Sequence, residues 1–226
     1  MALKREDFSR ERIDKLVEEM RGKGFFEAFT HEERENNRKE LLSNLAPGKD
    51  LWIFGYGSLI WNPAFNFIEK KPARLHGFHR SFCLHLTIGR GSPDAPGLML
   101  ALDRGGSCNG VAFRVAADEI DSETEILWMR EMITGAYIAH WGNIYIDGQP
   151  IPGMTFVINR NHSRYIGGLN MDETADRLLN GNGTLGTCRE YLENTVDHLK
   201  QIAVSDNYLQ QLCQLIRQKE SQSQDT

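Results

Sequence analysis

A continuous apolar run, Leu51-Trp52-Ile53-Phe54, stops abruptly at Gly55-Tyr56-Gly57-Ser58. The run has no polar face to give to water and is bounded by turn residues. It therefore predicts a buried strand that ends in a glycine-bearing loop. Further strands are predicted over Ala73–Leu86, Leu98–Leu102, Gly110–Val115, Ala136–Ile146 and Thr155–Ile158, with Gly, Pro, Asn and Asp between them. Asp118–Ile133 reads as a helix. Helical spacing also links Leu192, Val196, Leu199 and Ile202, and again Leu209, Leu212, Cys213 and Ile216 behind an Asp206 N-cap. A cluster of strands followed by helices points to an α+β fold with a small mixed or barrel-like sheet.

The first 50 residues differ in character. Ile13, Leu16, Val17 and Met20 recur at helical spacing until Gly22 and Gly24. His31–Leu45 is helix-like but polar, and Pro47-Gly48 ends it. The expected organisation is a helical extension over residues 1–50, packed on a main domain over 51–220, with a frayed polar tail over 221–226.

The balance of 26 basic and 31 acidic residues, net −5, gives no general attraction to a phosphate backbone, so nucleic acid is not an expected partner. Cys83, Cys108, Cys188 and Cys213 form no Cys-x-x-Cys pair, which argues against zinc ribbons and redox pairs. His76, His79 and His85 lie on a predicted strand, where alternate side chains face opposite ways, so they do not converge. No metal or cofactor is expected. The N-terminus lacks an apolar signal region, and no apolar run approaches the ~18 residues of a membrane span. A cytoplasmic protein with free thiols and no membrane partner is the expectation.

Two segments carry the chemistry. In Phe54–Trp61 the glycines admit close approach of a ligand, and successive N–H groups can hold a carboxylate or a developing oxyanion. A phosphate loop is excluded because no Gly-Lys-Ser/Thr follows, and a dinucleotide loop because Trp61 stands where a third glycine belongs. The alternative is a plain turn between core strands. In Asp118–Ile133, Glu131 falls on the apolar face shared by Leu127 and Trp128. Desolvation there would raise its pKa, as suits a general base. The alternative is a buried glutamate paired with Arg80, Arg90, Arg114 or Arg130.

Phe54-Gly55-Tyr56-Gly57-Ser58-Leu59-Ile60-Trp61, followed about 70 residues later by Leu127-Trp128-Met129-Arg130-Glu131-Met132-Ile133-Thr134-Gly135-Ala136-Tyr137, resembles the ChaC family. These are glutathione-specific γ-glutamylcyclotransferases. The resemblance runs from about Leu51 to Lys219 and includes Gly110-Val111-Ala112-Phe113-Arg114. It implies a γ-glutamylcyclotransferase-like fold, a small mixed β-barrel with surrounding helices. It further implies that Ile53, Phe54, Gly55, Tyr56, Gly57, Ser58 and Leu59 bind the γ-glutamyl group, that Glu131 is the catalytic acid/base, and that Tyr137 and Tyr191 lie near the site. The substrate would be glutathione, cleaved to 5-oxo-L-proline and L-cysteinylglycine. Cys188 stands where family members often have asparagine. Arg80 and Arg90 are candidates for the dipeptide carboxylate, with solvated surface charge the favoured reading of each. Gly181-Asn182-Gly183 reads as a flexible connector, with part of the site rim the alternative. Rival readings are a cyclotransferase for other γ-glutamyl compounds, a non-catalytic binding module, and a hydrolase using Ser58.

Overall fold

Leu51, Ile53 and Phe54 are 0% exposed, and their strand β1 (Leu51–Gly55) sits between two others. It pairs antiparallel with β3 (Gly97–Val115), from Leu51 opposite Val115 to Gly55 opposite Val111. On its other side it runs parallel to β5 (Gln149–Ile158), Ile53 facing Met154. With β2 (Glu69–Leu86) and β4 (Tyr137–Ile146), the strands close a barrel in the order β1-β3-β2-β4-β5. Closure leaves no edge to cover. The computed structural model describes residues 4–22, 24 and 28–224.

β2 and β3 form a long antiparallel ribbon, from Glu69 opposite Arg114 to Leu86 opposite Gly97. The sequence predicted two strands, 98–102 and 110–115, with a turn at Gly105-Gly106. The structure runs one strand through both glycines. Their φ angles of 104° and 69° face a register shift between His76 and Phe78 on β2. Positive φ here makes a bulge that bends the ribbon instead of a turn that ends it.

The helices are α1 (Arg10–Gly22), α2 (His31–Leu42), α3 (Ile120–Glu131), α4 (Met171–Asn180), α5 (Cys188–Gln201) and α6 (Asn207–Gln224). α4 was not singled out in the sequence, although Asn170 and Glu173 form a capping box at its start, the Glu173 N–H donating to Asn170 Oδ1 at 2.9 Å. Asp206 caps α6 as expected, accepting from the Leu209 N–H at 3.1 Å. α6 continues to Gln224, through most of the segment read as a frayed tail; residues 225 and 226 lie outside the described residues.

The N-terminal helices dock on α3. Phe8, Ile13, Val17 and Ala28 bury themselves with Met129 in an apolar cluster of their own. Around it, Arg5 pairs with Glu123 at 2.8 Å, Arg34 with Asp14 at 2.5 Å and Arg38 with Asp121 at 2.9 Å. The Trp128 indole N–H reaches Asn37 Oδ1 at 2.9 Å.

Arg80 overturns the surface reading. It is 5% exposed. Nε donates to the Tyr56 carbonyl at 2.7 Å, Nη1 to Asp206 Oδ2 at 2.8 Å, and Nη2 to the Asn109 carbonyl. One guanidinium thus joins β2, β3, the loop after β1 and the cap of α6. Truncation would leave a half-buried carboxylate and two carbonyls without their donor, worth ~3 kcal/mol. Arg80→Met should therefore lower the urea midpoint by a corresponding amount; an unchanged midpoint would show that the clamp carries little of the fold's stability.

Candidate active site

β1 delivers the chain to a tight turn. A 3-10 turn over Ser58–Ile60 follows, closed by Ile60 N–H to Gly57 O at 2.9 Å and Asn62 N–H to Ser58 O at 2.9 Å. The Tyr56 carbonyl is held by Arg80 and the Phe54 carbonyl by Thr155 Oγ1 at 3.0 Å. A trans peptide points its N–H opposite to its C=O, so fixing the Tyr56 carbonyl also fixes the direction of the Gly57 N–H.

Glu131 is the last residue of α3. The helix carries Leu127 and Trp128 into the core, and the Glu131 side chain is 16% exposed. Arg130 Nε lies 2.8 Å from Glu131 Oε1. The same guanidinium donates from Nη2 to Ser58 Oγ at 2.7 Å and from Nη1 to the Asn62 carbonyl. The Phe8 ring lies 5.8 Å from it. The paired reading of Glu131 holds, with Arg130 as its partner, and the same carboxylate lines a cavity. Neighbours in sequence on a helix seldom face one another, which is why Arg130 did not stand out. They meet here because the helix ends, Met132 having already left helical geometry at φ −107°, ψ 27°.

The cavity has a volume of about 810 Å³. Tyr56, Gly57, Ser58, Leu59, Tyr137 and Tyr191 line it together with Glu131. The hydroxyl of Tyr137 donates to the Leu100 carbonyl at 3.2 Å. The Tyr191 hydroxyl faces the Ser58 N–H, and a Cβ on Gly57 would lie 2.7 Å from it. Glycine is needed at position 57 for that close approach. Ile53, Phe54 and Gly55 are not among the residues that line the cavity; the first two are fully buried, on opposite faces of β1. They form the end of the strand that carries the loop.

Burial raises the Glu131 pKa above the ordinary carboxylate value, opposed by the charge of Arg130 and then by its hydrogen bond. Burial also pushes Tyr56, Tyr137 and Tyr191 upward, and the nearby Glu131 carboxylate adds to each shift. The tyrosines thus remain neutral hydroxyls beside a carboxylate able to take a proton.

Arg90 lines the cavity too, against the surface reading. It donates to the Thr187 carbonyl at 2.8 Å and covers the Tyr191 ring at 5.5 Å. Cys188 is buried behind it, its thiol donating to the Arg90 carbonyl at 3.1 Å. Residues 182–183 form a short strand, β6 (Asn182–Gly183), paired with β7 (Gly186–Thr187), where a flexible connector was expected. Contributions to the cavity missed in the sequence include Arg164, whose Nη2 donates to Thr134 Oγ1 at 2.6 Å, and the N-terminal helix α1. Among the described residues, no group of three or more His, Cys, Asp or Glu is arranged to hold a metal, and no helix is long and apolar enough to cross a membrane.

The closed barrel and its carboxylate-bearing cavity define the γ-glutamylcyclotransferase-like class. The crystal structure of a yeast γ-glutamyl cyclotransferase specific to glutathione has the same fold, with a TM-score of 0.69 and 22% identity, covering 75% of this chain and 96% of that one. Residues 51–219 match the ChaC-like protein family, and the chain belongs to it. The glutathione-specific γ-glutamylcyclotransferase of Escherichia coli K12 is 38% identical over 182 residues, 79% of each chain. Glutathione-specific γ-glutamylcyclotransferase 1 of Mus musculus is 31% identical over 155 residues, 66% of this chain and 70% of its own.

Arg130→Met removes the positive charge and the hydrogen bond that hold the Glu131 carboxyl down. The Glu131 pKa should then rise further, read as a titration at higher pH in carboxyl ¹³C NMR; a shift to lower pH would mean that Arg130 does not stabilise the carboxylate.

Proposed function

We propose that this chain is a glutathione-specific γ-glutamylcyclotransferase, a lyase that cleaves glutathione to 5-oxo-L-proline and L-cysteinylglycine. The observation that carries the reading is the Glu131 carboxylate, largely buried and with a raised pKa, in one cavity with the loop Tyr56–Leu59. The names of the relatives agree with it. The chemistry belongs to residues 51–220, with 1–50 a helical extension and 221–226 a polar tail. The reaction is placed in the cytoplasm, with no nucleic-acid or membrane partner.

The α-amine of the γ-glutamyl residue attacks its own γ-carbonyl. A five-membered lactam closes, the amide bond to cysteine breaks, and the dipeptide leaves with the proton that the attacking amine gave up. The reaction consumes no water. An α-ammonium has a pKa of about 8, so a base must first remove a proton. Glu131 takes it and returns it to the departing nitrogen. Acid–base catalysis of this kind is worth ~10²–10⁴ in rate. A raised pKa makes the carboxylate a better proton acceptor, and Arg130 keeps it ionised.

The oxyanion of the tetrahedral intermediate needs donors. Gly57, Ser58, Leu59 and Tyr191 line the cavity, and that task is assigned to the backbone N–H groups of Gly57 and Leu59 and to the Tyr191 hydroxyl, which itself takes the Ser58 N–H, each such donor worth ~3 kcal/mol. The loop also folds the flexible substrate so that its amine reaches its carbonyl. Ser58 is a poor nucleophile here. Its hydroxyl oxygen accepts from the Arg130 cation, which withdraws electron density where a hydrolase would supply a base.

Glu131→Gln should leave fold and glutathione binding intact and lower kcat by at least ~10²-fold. Because Glu131 acts ionised and burial raises its pKa above the ordinary carboxylate value, the wild-type rate should fall as pH drops through that raised value. Mass-spectrometric detection of 5-oxoproline and cysteinylglycine checks both points. Near wild-type turnover in the mutant would remove Glu131 from the mechanism, and free glutamate as product would restore the hydrolase.

A further inference from the structure

Six residues of α1 line the cavity: Arg12, Ile13, Lys15, Leu16, Glu19 and Met20. All but Ile13 stand at i, i+3, i+4, i+7 and i+8, so those five make one face of the helix. The adjoining face, Ile13 and Val17, is buried against α3. α1 is therefore a fixed wall of the cavity, held to the helix that ends in Glu131. The wall comes from residues outside 51–219, the part of the chain that matches the family.

Resting on the proposed function, we infer that this face of α1 is the subsite for the cysteinylglycine end of glutathione, with Lys15 and Arg12 receiving the glycyl carboxylate. The γ-carbonyl must sit at Glu131, in the buried part of the cavity. Two residues follow it, an extended reach of roughly 7 Å, and they carry the terminal carboxylate outward to the rim. Lys15 and Arg12 are the exposed cations there. The other cavity cations are engaged. Arg130 holds Glu131, Ser58 and Asn62; Arg90 holds the Thr187 carbonyl and lies 3.6 Å from Glu190; Arg164 holds Thr134. Arg12 is paired with Asp7 but remains 60% exposed, and Lys15 has no ion-pair partner among the described residues. Cavity-lining bases outnumber acids by five to four in a chain of net charge −5, so the cavity locally reverses the overall charge. Leu16 and Met20, on the same face, offer the apolar contact that a cysteinyl side chain needs.

The test compares kcat and KM for glutathione and for its glycyl monoethyl ester, in the wild type and in Arg12→Gln/Lys15→Gln. Both side chains are exposed, so the variant should fold as the wild type does. The wild type should prefer the free acid. In the variant, the KM for glutathione should rise ~10-fold, with kcat and the KM for the ester unchanged, as expected for loss of a charge-assisted contact. Lys15→Arg, which keeps the charge, should retain the wild-type KM. A variant that keeps the full preference for the free acid, or one that loses kcat at constant KM, overturns the inference and leaves the proposed function standing. A wild type that releases no 5-oxoproline from either substrate overturns the proposed function, and this subsite with it.

Discussion

The buried guanidinium of Arg80 is the contact on which the rest of the site depends. A barrel strand can end in many loop conformations, and a glycine-bearing loop has more than most. Arg80 selects one by holding the Tyr56 carbonyl, while its other donors tie the same point to β3 and to the cap of α6. The next N–H is thereby aimed, and Gly57 sits close enough to Tyr191 that no side chain fits between them. Desolvating an arginine is costly, and the three partners recover that cost only because they converge there.

A carboxylate in a largely buried cavity sets up the opposite tension. Burial alone would protonate Glu131 and spoil it as a base; a strong ion pair alone would leave it too weak to take a proton. Arg130 gives an intermediate solution, since its fork is shared among Glu131, Ser58 and Asn62. The same group couples the Glu131 carboxylate to the loop, so the proposed acid/base and the proposed oxyanion donors are held in one arrangement. Phe8, beneath the guanidinium, brings the N-terminal segment into that arrangement.

The extension is thus part of the site and not an ornament on it. Its apolar cluster includes Met129, two residues from the end of α3, and its ion pairs meet Glu123 and Asp121 on that helix. Stability of the extension and placement of Glu131 are linked through one element.

By itself the sequence determined which segments could be strands or helices, because hydrophobic period is a local property. The run 51–54, the α3 stripe and the Asp206 cap were all legible on those grounds. It also marked the loop and Glu131, since glycines after a buried strand and a carboxylate on an apolar face are each unusual locally. Three things were decided only by tertiary structure. Gly105-Gly106 became a bulge and not a turn, because β2 supplies a partner strand on both sides of it. Arg80 and Arg90 left the surface because their acceptors, on loops and strands far along the chain, converge on them. And α1 became a cavity wall because its buried face matches α3. In each case the deciding contact joins residues distant in sequence, which no local pattern encodes.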